Sequence, residues 1–226
     1  MIHITSLSRP QPIFINNMKC QVSMNIIVHC IRHAKAQHKP VINVTEDIRD
    51  PDLREQGVSQ CKTFASWFSK SSHPKHIKCI LCSPLTRCLN TALLAFEHIL
   101  SEVKIFAVPE LQTFDKAAPG VGLDLPDLQQ KYKDERSIDV TTFGRPDWNN
   151  KQEGRWSVEG KEQSIDFVRG LLEGMGSTTT AVANGGWTEV VLVSHRSFLK
   201  ELIEDDNLLS NPGMSPQYYC TQSKQV

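Results

Sequence analysis

Three short stretches of the chain, residues 25–31, 78–82 and 188–194, are almost wholly apolar and rich in β-branched side chains. Such runs suit strands covered on both faces, because a half-exposed strand would alternate apolar with polar residues. Between the first two, residues 55–69 place Val58, Cys61, Phe64, Ala65 and Phe68 at spacings of three and four. That period predicts an amphipathic helix. A second helix is expected from Ser83-Pro84 to about residue 99, with Leu85, Cys88, Leu89, Ala92, Leu93 and Phe96 on its inner face. Residues 105–108 read as a further strand, and residues 125–132, 159–175 and 198–203 as further helices. Strand alternating with helix argues for an α/β fold with a mainly parallel sheet.

Each long strand ends in a polar cluster. The first runs into Arg32-His33, the second into Ser83-Pro84-Leu85-Thr86-Arg87, and the last into Ser194-His195-Arg196-Ser197. In parallel sheets ligands bind beyond the carboxyl ends of the strands, so the three clusters can converge there. Two arginines and two histidines suit an anion with several oxygens. Guanidinium forks grip phosphoryl oxygens bidentately, and a neighbouring histidine can attack phosphorus.

Composition narrows the rest. Lysine plus arginine and aspartate plus glutamate number 25 each, so no global basic field exists to hold nucleic acid and anion binding must be local. At 226 residues, 39% hydrophobic and 22% charged, the chain reads as one soluble α/β domain. Its 7 cysteines are odd in number and mostly sit in apolar runs. That points to reduced, buried thiols in a cytoplasmic protein. No apolar stretch is long enough to cross a bilayer, so no membrane association is expected. Residues 1–23 lack periodicity and are expected to form a loosely ordered arm before a domain over 24–226. Residues 109–158 are long, polar and rich in proline and glycine, as suits an inserted lid.

Metal signals are weak. Cys79 and Cys82 have zinc-like spacing, but residues three apart on a strand face opposite sides. His29 is expected to point with Ile27 and Ile31, away from Cys30. No metal or other cofactor is expected, because the arginines supply the charge.

Several motifs resemble those of the histidine phosphatase superfamily, the phosphoglycerate mutase-like proteins. Arg32-His33-Ala34 resembles its RHG motif in the RHA form. Residues 83–92, Ser-Pro-Leu-Thr-Arg-Cys-Leu-Asn-Thr-Ala, resemble its SPLxRxxxTA segment, and residues 193–199, Val-Ser-His-Arg-Ser-Phe-Leu, its VTHGGFL segment. The Asp50-Pro-Asp-Leu-Arg-Glu-Gln-Gly57 loop and Val108-Pro-Glu-Leu-Gln112 are similar to further family stretches. The resemblance implies a three-layer αβα sandwich. It also implies that His33 is a nucleophile that becomes phosphohistidine, with Arg32, Arg87 and His195 holding the phosphoryl oxygens.

The chain departs from the family at named positions. Lys39, preceded by His38, replaces an asparagine, Arg196 and Ser197 replace glycines, and Thr113 stands where a proton-donating glutamate is expected. His38, Lys39, Thr113 and Arg196 therefore become candidates for contact with substrate. Either Asp115 or, second, Glu110 supplies the missing acid, or the substrate has a leaving group that needs no proton, such as diphosphate. The added positive charge of Lys39 and Arg196 favours the latter.

The expected function is a phosphatase-like enzyme acting on a small phosphorylated or diphosphorylated metabolite. Two rivals are ionisation of a diphosphate ester, or other lyase or cyclase chemistry on an anionic metabolite, and a non-catalytic phosphate-binding protein.

Overall fold

The computed structural model describes residues 26–37, 48–152, 154–178, 188–203 and 218–222. The expected arm over 1–23 lies outside them, as do His38 and Lys39. Among the described residues, five α-helices and a six-stranded sheet form the main regular structure: β1 (Ile26–Arg32), α1 (Glu55–Phe68), β2 (Ile77–Cys82), α2 (Thr86–Phe96), β3 (Ile105–Ala107), α3 (Leu125–Lys131), β4 (Ile138–Asp139), α4 (Lys161–Thr178), β5 (Thr188–Ser194), α5 (Arg196–Ile203) and β6 (Tyr218–Gln222). The strand order is β4-β3-β2-β5-β1-β6, parallel throughout except for β6, which runs antiparallel along β1.

The apolar runs become the three central strands because both of their faces are covered. Ile31, Ile80, Cys82, Val191 and Val193 pack on one side with Phe64 and Phe68 of α1 and Leu89, Ala92 and Phe96 of α2. Val28, Cys30, Cys79, Leu81, Val190 and Leu192 pack on the other with Ile165, Val168 and Leu172 of α4 and Phe198, Leu199 and Leu202 of α5. The result is the expected three-layer sandwich. Cys79 and Cys82 fall on opposite faces, and Cys30, Cys61, Cys79, Cys82 and Cys88 are buried thiols outside any disulfide. Burial pushes Cys61, Cys79 and Cys88 up to about 12, so they stay protonated and inert.

The start of α2 differs from the sequence reading. Helix α2 starts at Thr86 rather than Ser83-Pro84, because Leu85 is extended and precedes the helix as its N-cap. Asp50 takes over the capping: its carboxylate accepts bonds from the Thr86 N–H (2.9 Å) and the Thr86 hydroxyl (2.8 Å). Asp50 itself adopts a positive φ of 44°, a conformation that aspartate tolerates better than most residues. Strands β4 and β6 lacked a readable signal, being two residues long and at a sheet edge respectively.

The segment 109–158 supplies more than an insertion. It contributes β4 to the sheet, and its Trp148 and Trp156 are buried in the main core. Among the described residues, no helix is long and apolar enough to cross a membrane.

Gly57 shows why a small residue opens α1. A Cβ there would lie 2.1 Å from the Lys35 carbonyl oxygen, so α1 approaches the loop after β1 only because the side chain is missing. Gly57→Ala is expected to destabilise the fold by about 1–3 kcal/mol through this overlap. Chemical denaturation would measure it, and an unchanged midpoint would contradict the close packing.

Candidate active site

The carboxyl ends of β1, β2 and β5 bring three polar clusters together. Beyond β1, the His33 N–H donates to the Ser194 carbonyl at 3.0 Å, which carries strand pairing one residue past Arg32. The ring of His33 is locked by its own neighbour: Nδ1 donates to the Ala34 carbonyl at 2.8 Å. A carbonyl can only accept, so the proton sits on Nδ1 and the lone pair on Nε2. That lone pair faces Arg87, whose Nε lies 3.4 Å from His33 Nε2.

Arg87 comes from the first turn of α2, which Asp50 caps. Its guanidinium also reaches the Pro119 carbonyl (2.7 Å) and His195 Nδ1 (3.3 Å). Because arginine has donors only, His195 Nδ1 accepts and its Nε2 carries the proton. That Nε2–H points at the Ser83 hydroxyl, 2.9 Å away, with Cys88 Sγ at 3.4 Å. The two imidazole rings lie 5.1 Å apart. His195 is fully desolvated and faces the charge of Arg87, so its pKa falls well below the usual histidine value and the ring is neutral. Burial also lowers Arg87, which nevertheless remains a cation.

Bracing keeps these groups in register. Thr91 of α2 accepts the Ala34 N–H at 3.0 Å and donates to the Arg87 carbonyl at 2.7 Å. The loop that carries His33 is thereby tied to the helix that carries Arg87. His195 immediately precedes α5 and accepts the Leu199 N–H at 2.9 Å. The start of α2 and the start of α5 thus both border the cluster, an arrangement that favours an anion.

The sequence-derived candidates divide as follows. His33, Arg87 and His195 meet directly. Arg32, half-buried at the end of β1, adds its charge to the field at His195. Thr113 is buried, with its hydroxyl 3.4 Å from that of Ser197. Arg196 is exposed at the start of α5. Asp115 is exposed and accepts the Ala117 N–H at 3.0 Å, yet its charge acts on Arg87.

Glu110 is not brought into this cluster. It is buried and ion-paired with Arg155 at 2.8 Å, and that guanidinium stacks 4.7 Å from the Phe167 ring of α4. Its role is to seat the turn after β3 against α4, so it is withdrawn as a proton donor.

Sequence reasoning missed one residue. Lys151 is almost completely buried, and its ammonium donates to the Gln112 side-chain carbonyl and, at 2.6 Å, to the Thr113 carbonyl. Desolvation, then the nearby charge of Arg87, lowers its pKa to about 7, with Asp115 opposing. Its charge also acts on His195. Lys151 lies in an irregular polar stretch, Asn149-Asn150-Lys151, where no periodicity distinguishes a buried lysine from a solvated one.

Residues 28–207 match the family model for the histidine phosphatase superfamily, branch 1. The chain belongs to this superfamily. Several solved structures are similar to the chain at low identity. An Escherichia coli chain assigned as an alpha-ribazole-5′-P phosphatase is 21% identical, with 84% of this chain and 82% of that one covered and a TM-score of 0.46. The ecdysone phosphate phosphatase of Bombix mori, solved with tungstate, is 17% identical over 82% and 80%, with a TM-score of 0.49. A mycobacterial glucosyl-3-phosphoglycerate phosphatase is 19% identical over 82% and 80%, with a TM-score of 0.45. No curated protein sequence matches the chain at a significant level. Within the superfamily's RHG motif, Ala34 stands for the glycine. Here it is fully buried beside Leu53 and Cys61.

Proposed function

We propose that this histidine phosphatase superfamily member is a phosphatase-like enzyme that passes the phosphoryl group of a small phosphorylated metabolite through His33. The observation that carries the reading is the His33 ring, with Nδ1–H fixed on the Ala34 carbonyl and Nε2 turned toward the Arg87 guanidinium. A phosphoryl group entering between them places phosphorus at the lone pair and its oxygens on the fork of Arg87. Arg32 adds its charge to the cradle, and His195, accepting from Arg87 through Nδ1, steadies the guanidinium fork. Nε2 bonds to phosphorus as the ester P–O bond breaks. Water then attacks the phosphohistidine, releasing inorganic phosphate and restoring the imidazole.

Lys151 fits the role of the proton donor that Thr113 cannot fill. Its ammonium is held at the Thr113 carbonyl, the point in the chain where the superfamily places its acid, and its pKa of about 7 suits proton transfer near neutral pH. In the first step it gives a proton to the leaving alkoxide. In the second, the neutral amine takes one from the attacking water. Asp115, whose charge favours the protonated amine, helps keep it loaded.

Lys151→Met is expected to lower kcat on alkyl monoesters by about 10²–10⁴-fold. Substrates with an acidic leaving group should lose far less. Equal losses on both classes would remove Lys151 from proton transfer.

The same group makes a prediction about stability. Its folded pKa lies below the unfolded value, so between about pH 7 and about pH 10.5 the unfolded chain binds more protons and stability rises with pH. The penalty of the buried ammonium is complete below about pH 7. Lys151→Met should flatten this rise in a denaturant series.

A second reading, a diphosphorylated substrate, draws on the excess of positive charge, since Lys151 joins Arg32 and Arg87 at the site and the exposed Arg196 follows His195. Diphosphate leaves as a stable anion and needs no acid. A panel of monoesters and diphosphates compared in kcat/KM separates the two, with preference for diphosphates undiminished in Lys151→Met marking the second.

A further inference from the structure

Farther back along the same strands, His29 of β1, Glu189 of β5 and His73 of the turn before β2 converge. His29 lies four residues before His33, about 13 Å away at the usual rise of an extended strand. His29 Nε2 and His73 Nδ1 approach the same carboxylate oxygen of Glu189, at 2.7 and 2.8 Å, and all three atoms lie within 4.8 Å of one another. His29 and Glu189 are buried, while the His73 side chain is one-third exposed. Phe68, at the end of α1, sets both rings: it stacks on His73 at 6.2 Å and meets the His29 ring edge-on at 5.8 Å.

We propose that His29, His73 and Glu189 form a binding site for one first-row divalent transition-metal ion of the zinc class. The donor set, two imidazole nitrogens and one carboxylate oxygen, is borderline-soft and suits such ions better than calcium or magnesium. The protonation states agree. Burial lowers the pKa of His29 more than its bond to Glu189 raises it, leaving a neutral imidazole. Burial alone would raise Glu189, but the bonds from His29 and His73 outweigh it, so the carboxylate is ionised. Binding requires each imidazole to carry its proton on the nitrogen that faces away from the ion. It also requires the two nitrogen–oxygen distances to lengthen by roughly 0.5–0.8 Å, since donors about 2.0–2.2 Å from one tetrahedral ion stand about 3.3–3.6 Å apart. His73, on a short turn at the surface, can supply that movement, and its exposed side leaves a coordination position for water.

A purely structural triad explains the observations less well. Buried ionic groups are weak stabilisers compared with packed apolar residues of similar volume, and here the carboxylate stands in the second position of the central strand β5. Bound metal would join β1, β5 and the entry to β2, about 13 Å of extended strand away from His33. The proposal is therefore independent of the catalytic reading. The strand period rightly turned His29 away from Cys30, but could not foresee Glu189 and His73 on its own side.

The test uses the full chain, stripped with chelator and titrated with Zn²⁺ by calorimetry and with Co²⁺ by visible absorption. One equivalent should bind, with cobalt bands free of thiolate charge transfer, and the metal should raise Tm. His73→Ala should weaken binding by at least about 10-fold, as should His73→Gln, which keeps a donor to Glu189 and so preserves the metal-free fold. His33→Ala should bind as wild type does. Absence of saturable one-to-one binding, unchanged affinity in both His73 variants, thiolate bands, or loss of binding in His33→Ala would each overturn the site.

Discussion

His33→Ala is expected to lower kcat/KM on phosphorylated substrates by roughly 10³-fold or more, since removing a covalent nucleophile disables every later step. The fold should survive. The His33 backbone N–H, which pairs with Ser194, is unaffected, and the ring bonds to the adjacent Ala34 carbonyl. Circular dichroism should match wild type and Tm should stay within a few degrees. His33→Asn should be equally inactive. Activity close to wild type in either variant would assign the chemistry elsewhere.

Arg87→Lys should prove nearly as damaging, although the charge is kept. Arg87 reaches three partners at once: His33, His195 and the Pro119 carbonyl. Lysine offers a point charge on a flexible stem and cannot form the fork that grips a phosphoryl group. Losing a preorganised donor to developing charge costs about 10²–10³-fold, or about 2.7–4 kcal/mol. The loss should fall mainly on kcat, because the contact strengthens as charge builds on the phosphoryl oxygens. A Lys variant with full kcat and only a raised KM would show that Arg87 binds substrate without stabilising the transition state.

Much of this architecture could be read from the chain. Strands β1, β2 and β5 were legible because central parallel strands must be apolar on both faces, and Val190 to Val193 leave no other reading. His33, Arg87 and His195 were legible because each directly follows such a strand or opens the next helix, and a parallel sheet delivers those positions to one edge. The failures share one cause, contact between segments distant in sequence. Glu110 looked like a candidate acid beside Thr113, yet Arg155 claims it across 45 residues of chain. Lys151 looked like a solvated loop lysine, yet the carbonyl of Thr113 and the side chain of Gln112 bury it at the site. Asp50 was seen as part of a motif, but its task of capping α2 depends on a tertiary approach to Thr86. Edge strand β4 has too few residues for any period to register.

Rapid acid-free quenching tests most directly for a covalent phosphoryl group at His33. The full chain is mixed with a phosphorylated substrate, denatured in alkali within the first turnover, and digested for mass spectrometry. A phosphoryl adduct on His33 Nε2, stable in alkali, lost in acid and absent from His33→Ala, is the predicted result. Steady turnover with no phosphohistidine at any quench time, or an adduct on another residue, would contradict it.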